Sequence, residues 1–205
     1  MAARAALVRQ AFRLEYLTIA WMVVEAGVAI GAGIAAGSVS LLAFGLDSVI
    51  ELVSAGVLVW RLSVELRQGR VFAETAEKTA SRIGGALLLA LAAYVATAAA
   101  WSLWTRQGQQ FSWPGLLISI AAIPAMWILS RQKLRVADAL GSRALRTDAV
   151  EAVTCGWLSL AIVSGLLAQA VLGAWWVDSA ASLAILWLLV KEAREAWATE
   201  DCHED

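Results

Sequence analysis

Histidine is almost absent from this chain of 205 residues, because the only one is His203, close to the end. A haem held by buried histidines is therefore excluded. The apolar part of the chain also contains no Ser–His pair for nucleophilic catalysis and no glycine-rich phosphate loop. These absences argue against an enzyme.

Cysteine is also scarce, with Cys155 in a long apolar stretch and Cys202 in the polar tail. The two residues are expected at different depths, so a disulfide between them is implausible. A signal peptide is not expected either, because Arg13 and Glu15 stand where such a peptide has its apolar core. Residues 1–13 are predicted to form a short cytoplasmic amphipathic segment.

Apolar residues dominate the composition. They make up 60% of the chain and raise its mean hydropathy to +0.70, against roughly 45–50% apolar residues in a soluble domain. The runs are continuous and rich in Ala and Leu, which indicates membrane-spanning helices and not barrel strands. We predict an all-α bundle of six transmembrane helices within residues 14–195. The predicted spans are 14–36, 40–60, 83–104, 113–130, 147–172 and 175–193.

The basic residues are distributed unevenly around these spans. Fifteen of the 16 Lys and Arg residues lie on one side of the predicted membrane. They fall before the first span, between the second and third, between the fourth and fifth, or at the end of the sixth. Only Arg106 falls on the opposite side. Basic residues accumulate on the cytoplasmic side of membrane proteins. Both termini are therefore predicted to be cytoplasmic, in what we expect to be a bacterial inner membrane.

The second predicted span contains two acids near its middle, Asp47 and Glu51. A charge at the centre of a membrane helix costs roughly 2.5–3.5 kcal/mol on insertion scales. The spacing of four residues places both carboxylates on one face of the helix. Pairing with a base is weak as compensation, because no Lys or Arg lies in the interior of any predicted span. A functional role is favoured over a neutral, hydrogen-bonded one.

A second polar stripe opens the fifth span, where Asp148, Glu151 and Cys155 lie at positions i, i+3 and i+7. Glu51 and Cys155 are each predicted at roughly 14 Å into a hydrocarbon core of about 30 Å. Carboxylates and a thiolate can together bind a divalent cation, whose charge offsets the buried anions. Cys155 is equally plausible as a small buried apolar residue.

Three further acids have two readings each. Asp148 is expected to be a carboxylate at the start of its helix, with a gate as the alternative. Glu25, one turn after Trp21, either relays protons along an entry path or hydrogen-bonds a Ser or Thr of a neighbouring helix. Asp178 begins the sixth span, where the helix dipole favours an acid, so a structural role is preferred.

The polar segments outside the spans carry weaker signals. Residues 61–82 are predicted to extend the second and third helices into the cytoplasm, with Glu65, Glu74 and Glu77 on a solvated face. Residues 196–205 form a short acidic tail whose Cys202 and His203 are compatible with weak metal binding, although a disordered end is the preferred interpretation.

The motifs resemble those of one family, the cation diffusion facilitators. The sequence SLLAFGLDSVIELVSA resembles the family's second helix, with its D-x-x-x-D motif. The sequence SRALRTDAVEAVTC resembles the helix with R-x-D-x-x-H/D-x-x-x-D, and VDSAASLAI resembles the pattern of the sixth helix. The resemblance implies a transport site made of Asp47, Glu51, Glu151 and Cys155. It also implies a homodimer that exchanges cytoplasmic metal for external protons.

The chain departs from the family pattern at its ligands and at its end. Glu51 replaces the second Asp, Glu151 stands where His or Asp is usual, and Cys155 stands where Asp is usual. The family's soluble C-terminal domain is not expected in the few residues after the sixth span, so the membrane helices would have to hold a dimer. This arrangement resembles the shorter branch of the family.

The function that we predict is proton-coupled export of a divalent transition metal, with Zn²⁺ as the leading candidate and Cd²⁺, Co²⁺, Fe²⁺, Mn²⁺ and Ni²⁺ as the others. No cofactor and no nucleic-acid partner are expected. One alternative is a proton antiporter for organic cations, in which Glu25 and Trp21 bind the substrate. Another is a membrane scaffold that transports nothing. The sequence leaves the choice of metal, the proton stoichiometry and the oligomeric state open.

Overall fold

The computed structural model describes residues 2–68, 74–106 and 110–201, and this part of the chain consists of helices joined by turns. The helices are α1 (Ala2–Ala36), α2 (Val39–Gln68), α3 (Glu74–Thr105), α4 (Trp113–Leu140), α5 (Arg143–Leu172) and α6 (Val177–Asp201). The predicted all-α membrane bundle is confirmed. Residues 2–13, predicted as a separate segment, continue into α1 without a break.

The first five helices each contain a stretch long and apolar enough to cross a membrane. The sixth predicted span is present as a helix, but its apolar stretch is short because it lies between Asp178 and Lys191. Helix α6 packs against α2, α3 and α5. Many large apolar side chains face outwards, such as Trp104, Trp127 and Val171. An outward apolar surface is what a lipid environment requires.

Consecutive helices run antiparallel, so the beginning of α1 and the end of α6 lie at the same end of the bundle. The opposite end is defined by two contacts. The backbone amide of Gln110, after α3, donates to the Ala36 carbonyl at the end of α1, at 2.8 Å. Asp178, at the start of α6, contacts the start of α2 at the same end. At the other end lie the beginning of α1, the turn between α4 and α5, and the end of α6. We call this second end the basic end, because Arg9, Arg131 and Arg146 belong to it.

The α1–α2 pair is held in close contact by glycines. A Cβ atom on Gly33 would lie 2.9 Å from the backbone nitrogen of Leu42, and one on Gly45 would lie 2.9 Å from the backbone nitrogen of Ile30. A larger residue at either position would push the two helices apart. The turn between them contains Gly37 at φ +63°, a conformation that suits glycine. The first and second helices therefore pack closely against each other.

Serine and glycine define the turn between α4 and α5. Gly141, in the left-handed conformation at φ 65°, ends α4, and its amide donates to the carbonyls of Ala137 and Asp138. The next residue, Ser142, caps α5 by accepting a hydrogen bond from the amide of Leu145. This tight turn sets the register between the two helices, so that residues near the end of α4 face the first turns of α5.

Candidate metal centre

Helix α2 supplies two carboxylates to the interior of the bundle. Asp47 is 1% exposed and Glu51 is 9% exposed. Their separation of four residues places them on the same face of the helix, one turn apart. That face is buried because α2 lies between α1, α3, α5 and α6.

Helix α5 brings a thiol to the same place. Cys155 is completely buried, and one ligand atom from each of Asp47, Glu51 and Cys155 lies within 4.8 Å of the other two. We call these three residues the ligand cluster. Two carboxylate oxygens and a sulfur at this spacing match the donor set of a four-coordinate transition metal, with at least one position left for another ligand.

Asp47 is the least satisfied member of the cluster. Neither of its two side-chain oxygens has a hydrogen-bond partner among the residues that the structure describes. Buried polar groups in proteins are almost always paired, since an unpaired one loses its interaction with water without replacement. A bound cation would supply what both oxygens of Asp47 lack.

Glu151 stands apart from the cluster. It is half-buried on the same face of α5, one turn nearer to the basic end than Cys155. It lies close enough to Asp47 to interact with it electrostatically, and also close to Asp148, Lys133 and Glu15. Of the four predicted ligands, the structure thus brings three together and places Glu151 beside them.

Glu25 of α1 borders the cluster on its other side. Its carboxylate accepts hydrogen bonds from the Trp21 ring nitrogen at 2.5 Å and the Ser48 hydroxyl at 2.7 Å. The Cys155 thiol lies 3.5 Å from the same carboxylate oxygen that Ser48 contacts, and donates to it. The predicted hydrogen bond to a serine of a neighbouring helix is therefore present. Glu25 in addition holds the thiol of the cluster.

Asp148 lies in an ion pair that the sequence interpretation missed. The Lys133 ammonium donates to the Asp148 carboxylate, and also to Glu15 Oε2 at 3.2 Å. Lys133 and Glu15 are both completely buried. The prediction that no span has a basic residue in its interior is therefore wrong, because α4 continues past residue 130 and carries Lys133 into the interior.

A signal for the burial of Lys133 was available in the spacing of its neighbours. The inward face of α4 contains Met126, Ser130, Lys133 and Val136, which follow one another at intervals of three or four residues. This spacing is that of one helix face. A span defined by hydropathy alone ends at the first charged residues. The fourth span was therefore predicted to end at residue 130, before Lys133.

Asp178 has the structural role predicted for it. Its carboxylate accepts from the Ser38 hydroxyl at 2.7 Å, the Ser40 hydroxyl at 2.5 Å and the Val39 amide at 2.8 Å. It therefore caps the start of α2 from the first turn of α6. Cys202 and His203 of the tail, and the side chains of Glu65, Glu74 and Glu77, lie outside the described part of the chain.

Comparison with known proteins places this arrangement in a family. Residues 16–197 match the cation efflux transmembrane domain. The chain is also 29% identical, over 177 residues, to an uncharacterized transporter of Synechocystis sp. (strain ATCC 27184 / PCC 6803 / Kazusa). That match covers 82% of this chain but only 56% of the relative, so the chain spans about half the length of the curated protein that it resembles.

The match extends over nearly all of α1 to α6 and includes the three residues of the ligand cluster. The family's name describes the movement of cations out across a membrane, and the buried, unpaired carboxylate of Asp47 suits a cation. The chain belongs to the cation efflux family, that is, to the cation diffusion facilitators, and is an integral membrane protein.

Proposed function

We propose that the protein exports a divalent transition-metal ion, with Zn²⁺ as the leading candidate, in exchange for protons. The single observation that carries the proposal is the ligand cluster: three ligand atoms from two helices within 4.8 Å of one another, deep in the bundle. Both side-chain oxygens of Asp47 are buried without a hydrogen-bond partner among the described residues. A cation that binds and leaves accounts for them.

The donor set supports a transition metal as the substrate. Carboxylates alone suit Mg²⁺ and Ca²⁺, which require six or more oxygen ligands, whereas a thiolate favours softer ions. Asp47, Glu51 and Cys155 supply three donors, and Glu151 or a water would supply a fourth to complete a tetrahedral shell. Cd²⁺, Co²⁺, Fe²⁺, Mn²⁺ and Ni²⁺ remain candidates, since affinity alone does not decide selectivity.

Proton exchange follows from the ligands themselves. A thiol and carboxylates bind metal only after they lose their protons, so metal binding releases protons from a protonated site. On the opposite side of the membrane, protons compete with the metal for the same oxygens and sulfur. The protonated cluster then returns without moving bare anions through the hydrocarbon, which would be costly.

Uptake of Zn²⁺ into proteoliposomes under a pH gradient tests the proposal. Wild type is compared with Asp47→Asn and Cys155→Ser. The matched control is Asp138→Asn, because the Asp138 carboxylate is 63% exposed and pairs with Arg146 at the surface. Loss of uptake in Asp47→Asn but not in Asp138→Asn supports the cluster as the transport site. Uptake by Asp47→Asn as high as that by Asp138→Asn would overturn the proposal.

The oligomeric state and the orientation in the membrane belong to the same proposal. We expect a homodimer held by the membrane helices, and both termini on the cytoplasmic side of a bacterial inner membrane, as the distribution of basic residues suggests. An organic-cation antiporter is not favoured, because the Glu25 carboxylate is already engaged by Trp21, Ser48 and Cys155. Transport that is lost in Glu25→Gln but kept in Asp47→Asn would reverse this preference.

A further inference from the structure

The buried ion pair of α4 has a third member and joins three helices. Lys133 of α4 contacts Glu15 of α1 and Asp148 of α5, and we call these residues the ion triad. Two carboxylates share one ammonium, and the second oxygen of Glu15, Oε1, is buried with no hydrogen-bond partner in the described residues. A buried lysine is uncommon in proteins and is maintained only where it is paired.

The ion triad lies directly between the ligand cluster and the basic end. On α1, Glu15 and Glu25 lie on one buried face, which also includes Thr18 and Met22. Ten residues of helix separate the two acids, or about 15 Å along the axis. On α5, Asp148 precedes Cys155 by seven residues, or about 10 Å. The same two helices thus contribute first to the ion triad and then, farther inside, to the surroundings of the cluster.

Glu151 links the two groups. It interacts electrostatically with every member of the ion triad and with Asp47 of the ligand cluster. A cation that travels from the basic end to Asp47 along α5 therefore passes Asp148 and then Glu151. Both acids attract a cation, but Asp148 is already bound to Lys133.

A small apolar cluster lies on the basic-end side of the ion triad, because its members on α1 and α5 precede Glu15 and Asp148 and those on α4 follow Lys133. It consists of Ala11, Leu14, Leu58, Val136, Ala137 and Leu145, contributed by α1, α2, α4 and α5. This cluster is separate from the main core around Met22, Phe44 and Met126. The ligand cluster is itself at most 9% exposed at any member, so the route from the basic end is closed in this conformation.

We propose that the ion triad is the gate of the basic end: Lys133, by binding Glu15 and Asp148 together, holds α1, α4 and α5 closed over the route to the ligand cluster. Lys133 is in this view a positioning residue, which acts through two carboxylates and does not itself touch the transported ion. The inference rests on the proposed function for its meaning, since a gate requires a cargo. The closure itself is a property of the helices and is measurable without transport.

The native cysteine of the cluster reports on this gate. With Cys202→Ser as the background, Cys155 is the only thiol of the chain. A charged, membrane-impermeant methanethiosulfonate reagent is added to the basic end of the reconstituted protein, and the rate at which Cys155 is modified is measured. Lys133→Met is compared with Arg146→Met, which breaks the exposed Arg146–Asp138 pair at the same end of the bundle.

Modification of Cys155 in Lys133→Met is expected to be at least about tenfold faster than in the background. Without Lys133, the buried carboxylates of Glu15 and Asp148 repel each other and no longer hold the helices closed. Arg146→Met is expected to match the background, and Lys133→Arg is expected to restore slow modification. An unchanged rate in Lys133→Met overturns the proposal, and so does an equal increase in Arg146→Met.

Two further measurements keep the test decisive. If Lys133→Met fails to accumulate as a folded protein, Glu15→Gln replaces it under the same criterion, because this change removes one of the two pairs and leaves Lys133–Asp148 in place. Protection of Cys155 by Zn²⁺ in the background is measured separately. If Lys133→Met speeds the modification of Cys155 but Zn²⁺ does not protect Cys155, the result counts against the proposed function alone. If Zn²⁺ protects Cys155 but Lys133→Met does not change the rate, the result counts against the gate alone.

Discussion

The ligand cluster and the ion triad meet the same physical difficulty in opposite ways. Each places acids where water is excluded, and each draws on α5. At the ion triad the compensating cation is built into the chain as Lys133. At the ligand cluster both oxygens of Asp47 lack a partner among the described residues. A buried acid with a permanent partner therefore holds helices together, whereas a buried acid without a partner suits a cation that binds and leaves.

The two groups should therefore respond differently to the loss of one charge. Removing one member of a paired group leaves a buried charge uncompensated and weakens the fold. Removing the Asp47 carboxylate from a cluster of neighbouring acids relieves repulsion and leaves the fold intact, while it removes the cation site.

Asp47→Asn is expected to reduce Zn²⁺ uptake to the background of empty liposomes, because the amide keeps the size of the side chain but loses the charge that binds the ion. The free energy of unfolding should not fall, since no hydrogen bond to Asp47 is broken among the described residues. Uptake and denaturation in detergent measure the two quantities on one preparation. Loss of uptake that is explained by unfolding of Asp47→Asn would contradict this prediction.

Lys133→Met is expected to lower the free energy of unfolding by about 3–5 kcal/mol, the usual cost of breaking a buried ion pair. The control Arg146→Met, at an exposed pair, should change it by only about 0–1 kcal/mol. Chemical denaturation followed by tryptophan fluorescence gives both values.

A triple variant, Glu15→Gln with Lys133→Met and Asp148→Asn, sharpens this result. It removes all three charges of the ion triad together, so most of the lost stability should return. If the triple variant is as unstable as Lys133→Met alone, packing around the lysine and not charge compensation explains the loss.

Zn²⁺ itself is expected to stabilise the wild type. A ligand at one hundred times its dissociation constant adds about 2.7 kcal/mol to the free energy of unfolding. Chelation should abolish this gain, and Asp47→Asn should not show it, whereas Lys133→Met should still show it if it folds. Thermal unfolding with and without Zn²⁺ is the measurement, and a gain of equal size in Asp47→Asn would place the metal elsewhere.

Of the buried acids, Asp178 is expected to matter least for transport, and Asp178→Ala should lower the free energy of unfolding by about 1–2 kcal/mol through the removed helix cap. Zn²⁺ uptake per folded protein should remain close to that of the wild type. A specific loss of uptake without a loss of stability would show that Asp178 takes part in transport and is not only structural.

The sequence predicted the positions of most helices because an apolar run of about twenty residues has few alternatives in a membrane. The spacing of Asp47 and Glu51 on one face also follows from helix geometry alone. The partner of Asp148 did not follow, because a lysine beyond a hydropathy boundary looks solvated until the neighbouring helices are known. The position of Glu151 beside the ligand cluster did not follow either, because its depth relative to α2 depends on how the helices pack.

Hydropathy and helical period are local properties, so the amino-acid sequence is enough to predict a bundle of membrane helices with acids at mid-depth. Which acids meet which neighbours depends on how the helices pack. The distances between Asp47, Glu51 and Cys155, and the burial of Lys133 between Glu15 and Asp148, depend on how α1, α2, α4 and α5 pack. Contacts between residues far apart in the chain are set by the register and rotation of whole helices, and no short stretch of sequence specifies these.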